Sequence, residues 1–106
     1  MNKKIAVVDY GGPAPTIYLC GTLRGRGYEV FFARKFSELQ NLEDLNVLLM
    51  HPGVDEQQEA IEFAMAHHKV KSAIITPSPG HYISDEIPIF DSDKPETIVK
   101  FVNECF

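Results

Sequence analysis

The chain has 106 residues, of which 44% are hydrophobic, enough for one core and too apolar for a disordered polymer. Its formal net charge of −5 and pI of about 5.2 argue against a generally basic nucleic-acid-binding face. Cys20 and Cys105 form no CxxC pair or zinc spacing, which points to a reduced, cytoplasmic setting without a disulfide framework.

The first element is Lys4-Ile5-Ala6-Val7-Val8-Asp9, a continuous β-branched apolar run, read as a strand buried on both faces. The run is too short for a secretory signal, and nothing later approaches the roughly 18 apolar residues of a membrane span. After the loop Tyr10-Gly11-Gly12-Pro13-Ala14-Pro15, a helix is expected from Thr16 to about Arg26, with Ile17, Cys20 and Leu23 as its apolar stripe. Residues 28–33 read as the second strand. Ser37-Glu38-Leu39-Gln40 then fits a capping box opening a short helix that turns Leu39 and Leu42 inward.

Residues 46–50 read as the third strand, which runs into Met50-His51-Pro52-Gly53. Asp55-Glu56-Gln57-Gln58 is a second capping-box pattern. The helix it opens reaches about His68, with Ile61, Ala64, Met65 and His68 along one side. Residues 72–76 read as the fourth strand, followed by the turn-rich Pro77-Ser78-Pro79-Gly80 and one loose helical turn over 81–86. Residues 87–90 read as a fifth strand, which Pro88 marks as an edge. Pro95 opens a last helix with Ile98, Phe101, Val102 and Cys105 as its stripe.

Strands and helices alternate along residues 1–106 with no linker or repeat, which predicts a single α/β domain of three layers. The expected fold is flavodoxin-like, a five-stranded parallel sheet in the order 2-1-3-4-5. In that wiring ligands bind beyond the carboxyl ends of the strands, where Asp9, Tyr10, Met50, His51, Thr76 and Pro77 fall.

Asp9 has two readings: a carboxylate for Mg²⁺ or for base chemistry, or a residue that orders the following loop through hydrogen bonds. His51 has the chemistry of a ligand, a base or a phospho-acceptor. Asp9, His51 and His81 supply suitable metal-ligand types, although no spacing motif joins them. Tyr10-Gly11-Gly12-Pro13 matches neither phosphate-binding glycine pattern, so turn geometry accounts for its glycines. His67 and His68 point about 100° apart on their helix, at its solvent side or at the edge of the core. Cys20 and Cys105 read as packing residues, and Ser78 lacks a nucleophile-elbow context.

The pattern resembles the receiver domain of two-component response regulators. The likeness is carried by the acid ending IAVVDY, the threonine ending AIIT, and the Lys-Pro pair in FDSDKPETIVKF. It implies that Asp9, Thr76 and Lys94 stand at phosphate-site positions. Tyr10 replaces the second acid of the Mg²⁺-binding pair, so any Mg²⁺ role is weak. The strand end NVLLMHPG holds no aspartate to accept phosphate, although aspartyl phosphate requires one. IAVVDYGG and LLMHPGVD are also similar to the start of class I glutamine amidotransferase domains. The later segment AIITPSPGHY carries no cysteine where those domains carry their nucleophile.

Three expectations follow. The first is a non-catalytic, degenerate receiver-like signalling module with a protein partner, or a homodimer formed through the last helix and fifth strand. The second is a small-ligand- or metal-binding domain, or a truncated amidotransferase-like remnant. The third is an enzyme with an unusual nucleophile, His51 acting as a phospho-carrier.

Overall fold

The computed structural model describes residues 3–10, 14–39, 44–82 and 84–106. Five strands form the sheet: β1 (Lys4–Asp9), β2 (Glu29–Ala33), β3 (Val47–His51), β4 (Lys71–Thr76) and β5 (Ile89–Asp91). All neighbours are parallel, and the order is β2-β1-β3-β4-β5, as the alternating pattern predicts. Three α-helices accompany it: α1 (Ala14–Gly25), α2 (Gln57–Ala66) and α3 (Pro95–Glu104).

The period-2 alternation of the strands sorts the core into two layers. Ile5, Val7, Val47, Leu49, Ala73 and Ile75 pack with Leu19, Cys20 and Leu23 of α1 and with Ile98, Val99 and Val102 of α3. Ala6, Val8, Leu48, Met50 and Ile74 face the other way, onto Ala60, Ile61 and Ala64 of α2 and onto Phe36, Tyr82 and Ile87. A continuous apolar run such as Ile5–Val8 is what a strand covered on both sides requires.

Among the described residues the second layer holds one α-helix, α2, and irregular segments add to it. Where a helix is expected after β2, the described residues hold a 3₁₀ turn, Phe36–Glu38. Ser37, expected as an N-cap, lies inside that turn, and Glu38 Oε1 accepts the Arg34 N–H at 2.7 Å. Gln40 and Leu42 lie outside the described residues. Rings pack along this face. Tyr10 and Phe36 centroids are 5.7 Å apart, Phe36 and Phe63 stack at 4.4 Å, and Phe63 and His67 lie at 4.3 Å.

The second capping box also fails. Glu56 N–H bonds the Gly53 carbonyl at 3.0 Å, which closes a 3₁₀ turn (Val54–Glu56) and delays α2 to Gln57. The helical turn expected at 81–86 is a 3₁₀ turn at Pro79–His81 instead, and β5 begins at Ile89, just past Pro88. Two stripes are rotated from expectation. Ile17 is 57% and Met65 55% exposed, while Leu19 and Ala60 take buried places.

The β2 edge is guarded. Glu29 N–H bonds Lys3 O on the β1 side, so Val30, next along the strand, turns its carbonyl to the free edge. Arg24 reaches across and donates to that carbonyl at 3.0 Å. A charged group bonded to a free strand edge blocks pairing with another strand.

Candidate functional site

β1 and β3 are adjacent, and their register makes Asp9 the direct partner of His51 at the carboxyl edge of the sheet. Partners in a parallel ladder point to the same face, so both side chains fall on the α1–α3 side, continuing the rows Ile5-Val7 and Val47-Leu49. Asp9 is fully buried. Its Oδ1 lies 3.0 Å from His51 Nδ1, and its Oδ2 accepts a hydrogen bond from the Thr16 hydroxyl.

Thr16 sits in the first turn of α1 and is itself buried. The helix is therefore rotated so that Thr16, Leu19, Cys20 and Leu23 form its inner stripe, at the i, i+3, i+4, i+7 spacing. Ile17 is left outside by this rotation. An apolar residue is exposed and a hydroxyl buried because the carboxylate at the end of β1 needs a donor. The positive end of the α1 dipole also favours a negative charge at this place.

The carboxylate fixes the chemistry of the imidazole. An Nδ1 facing a buried carboxylate carries the ring proton and leaves the lone pair on Nε2. Among the described residues no group bonds Nε2, and the His51 side chain is 15% exposed. The pair thus presents an oriented ring nitrogen at the carboxyl edge of the sheet.

The other expected site residues are not assembled with this pair. Tyr10 turns to the opposite face, where its hydroxyl donates to Glu59 Oε1 at 2.9 Å and its ring meets Phe36. Burial, together with the Glu59 carboxylate, pushes the phenol up to about 12. Thr76 is buried on the side of Ile74, and its Oγ1 accepts the Ser78 N–H at 3.1 Å, closing the turn after β4. Lys94 is exposed at the entrance to α3, and among the described residues its ammonium forms no ion pair.

His81 is exposed in its 3₁₀ turn, and among the described residues no three His, Cys, Asp or Glu side chains converge as a metal would require. The set Asp9, His51 and His81 is therefore not brought together. The residues also do not fit Mg²⁺: Asp9 is buried, with Oδ1 beside an imidazole nitrogen and Oδ2 accepting a hydroxyl proton. The loop Gly11-Gly12-Pro13 lies outside the described residues.

Two participants escape sequence reasoning. Thr16 is one; its signal is a polar residue at the head of an i, i+3, i+4, i+7 stripe that directly follows an acid-terminated strand. Tyr82 is the other. Its buried hydroxyl donates to the Pro52 carbonyl at 2.6 Å and straps the segment after β4 to the turn that follows His51. Nothing in the spacing of PSPGHY announces that bond.

The thiols are not activated. Burial raises the Cys20 thiol above its ordinary value, Asp9 adds to the rise, and Arg24 offsets part of it. Burial likewise raises Cys105. A groove of about 300 Å³ lies at the opposite end of the sheet, between Met65, His68, Lys71 and Pro88, and contains none of the site residues.

Fold and site together define a class: an α/β flavodoxin-like domain whose carboxyl edge carries a histidine–carboxylate pair held by a threonine. No protein-family model, curated protein or solved structure matches this chain.

Proposed function

We propose that the chain is a receiver-like signalling module that works by binding a protein partner and takes no phosphoryl group on a carboxylate. The observation that carries this reading is the Asp9–His51 pair on a 2-1-3-4-5 sheet. A receiver holds its acceptor carboxylate at the end of the third strand. His51 stands there, and the Asp9 carboxylate beside it is buried and engaged by Thr16 and His51.

The partner surface lies on the α1–α3 layer, and the proposed homodimer uses α3 and β5. The outer side of α3 is polar, with Glu96, Thr97, Lys100, Asn103 and Glu104 exposed. Among the described residues the exposed large apolar side chains of the layer include Ile17 and Tyr18 on α1, the latter 72% exposed, and Phe106 just after α3. α1 therefore offers an apolar contact for a protein partner, apart from the α3–β5 surface of the homodimer. No helix of the described residues is long and apolar enough to cross a membrane. The reduced thiols suit a cytoplasmic setting.

Amide-resolved NMR tests the phosphate half of this reading. Mg²⁺ followed by beryllofluoride, a mimic of carboxylate-bound phosphate, leaves Asp9, Thr76 and Lys94 unshifted. Saturable shifts confined to those residues refute it. Sedimentation over a wide concentration range tests the association half. Self-association that Lys100→Glu on α3 weakens is expected, and a strictly monomeric protein that holds no partner from its own source leaves the reading without content.

A further inference from the structure

We propose that His51 is a phosphoryl-accepting residue, modified at Nε2 by small phosphoramidate donors. The inference deepens the receiver-like reading and rests on it, moving the acceptor from a carboxylate to an imidazole. Four observations carry it. The buried Asp9 carboxylate lies 3.0 Å from Nδ1 and holds the ring in the tautomer whose lone pair is on Nε2. Thr16 holds the other oxygen of that carboxylate, so the orienting group is itself fixed. The His51 side chain retains 15% exposure at the carboxyl edge of the sheet. The remaining nucleophile types do not compete: Cys20 is buried within the α1–α3 core, and Ser78 is an exposed turn residue whose N–H is tied to Thr76.

The step balances without a further reagent. The Nε2 lone pair attacks the phosphorus of phosphoramidate, an Nε2–P bond forms, and the donor N–P bond breaks. Its electron pair leaves with ammonia. The proton on Nδ1 stays in place, shared with Asp9. The ring gains a positive charge as the phosphoryl group arrives, and Asp9 faces that charge from the other side of the ring. A fixed carboxylate aimed at a developing cation stabilises the transition state as well as the product. His67 lacks this arrangement: its Nδ1 lies against the Phe63 carbonyl, and its ring packs on Phe63. His68 and His81 are exposed, and neither is held by a carboxylate among the described residues.

The test is incubation of the full chain with phosphoramidate, followed by intact mass and phosphorus–nitrogen correlated NMR. The expected result is one phosphoryl group on Nε2 of His51, stable in alkali and lost in acid. It is absent from His51→Gln and formed about tenfold or more slowly in Asp9→Asn, the rate equivalent of one charge-assisted hydrogen bond. Because Asp9→Asn risks misfolding, the nitrogen assignment is made on the unaltered chain. Phosphorus on Nδ1, or an adduct that survives in His51→Gln, overturns the proposal. An alkali-labile, hydroxylamine-sensitive adduct overturns both this proposal and the receiver-like reading, since it places phosphate on a carboxylate. No adduct at all overturns the phosphohistidine and leaves the docking module standing.

Discussion

Replacing Thr16 with valine separates a polar site from an ordinary core. Thr16→Val keeps the β-branched shape and its helix preference but deletes the hydroxyl that bonds Asp9. Removing one donor from a buried carboxylate costs about 1–3 kcal/mol, and the upper end applies because the acceptor is charged. The added methyl, set beside Leu19, Cys20 and Leu23, returns about 0.8 kcal/mol. The net loss is about 2 kcal/mol, a fall in Tm of roughly 8–16 °C for a domain of this size. Thr16→Ser is the control: it keeps the hydroxyl and loses a methyl, costing about 1 kcal/mol. Urea unfolding with a common slope measures both. The expected order of stability is the unaltered chain, then Thr16→Ser, then Thr16→Val. Apolar packing alone predicts the two variants in reverse. Thr16→Val at or above Thr16→Ser refutes the role assigned to the hydroxyl.

Three other expectations concern the opposite face and the edge. The Tyr10 phenol, held up to about 12 against an ordinary 10.0, keeps its proton in the folded state after the unfolded chain has lost it. Its contribution to stability is therefore complete below pH 10.0 and is lost as pH rises towards about 12. The difference in phenolate absorbance between the unaltered chain and Tyr10→Phe reads the titration, and Glu59→Gln brings it downward; an unchanged midpoint in Glu59→Gln removes that carboxylate as a cause. Phe36→Ala breaks the ring stack on this face and costs about 3–4 kcal/mol by urea unfolding, whereas a loss below about 1 kcal/mol shows the stack to be dispensable. Arg24→Ala loses one hydrogen bond, about 1 kcal/mol, and uncovers the β2 edge. Sedimentation should then show association beyond that of the unaltered chain, and identical behaviour refutes the guarding role.

The sequence by itself determined the layered α/β architecture. The bounds of β1 were readable from the run KIAVVD, and the parallel order β2-β1-β3-β4-β5 follows from alternating strands and helices in a chain of this length. The inner stripe of α3 was largely legible too, since Ile98 and Val102 recur at helical spacing and both are buried. These features are local, because a hydrophobic period of two or 3.6 residues is written in the neighbours themselves.

Tertiary structure decided the rest. The expected N-caps were displaced: Ser37 lies inside a 3₁₀ turn, and the Glu56 N–H closes on the Gly53 carbonyl. The rotation of α1 was set by the demand of Asp9 for a donor, which outweighs the burial of Ile17. A stripe chosen on hydrophobicity alone therefore puts the wrong residue inside. The cleft residues of the strand ends were legible as a set but not as a site. Strand alternation turns Asp9 and His51 to one face and Tyr10 and Thr76 to the other, and the register of β1 on β3 brings two of them into contact. Register and facing depend on contacts between residues distant in the chain, and no local period encodes them.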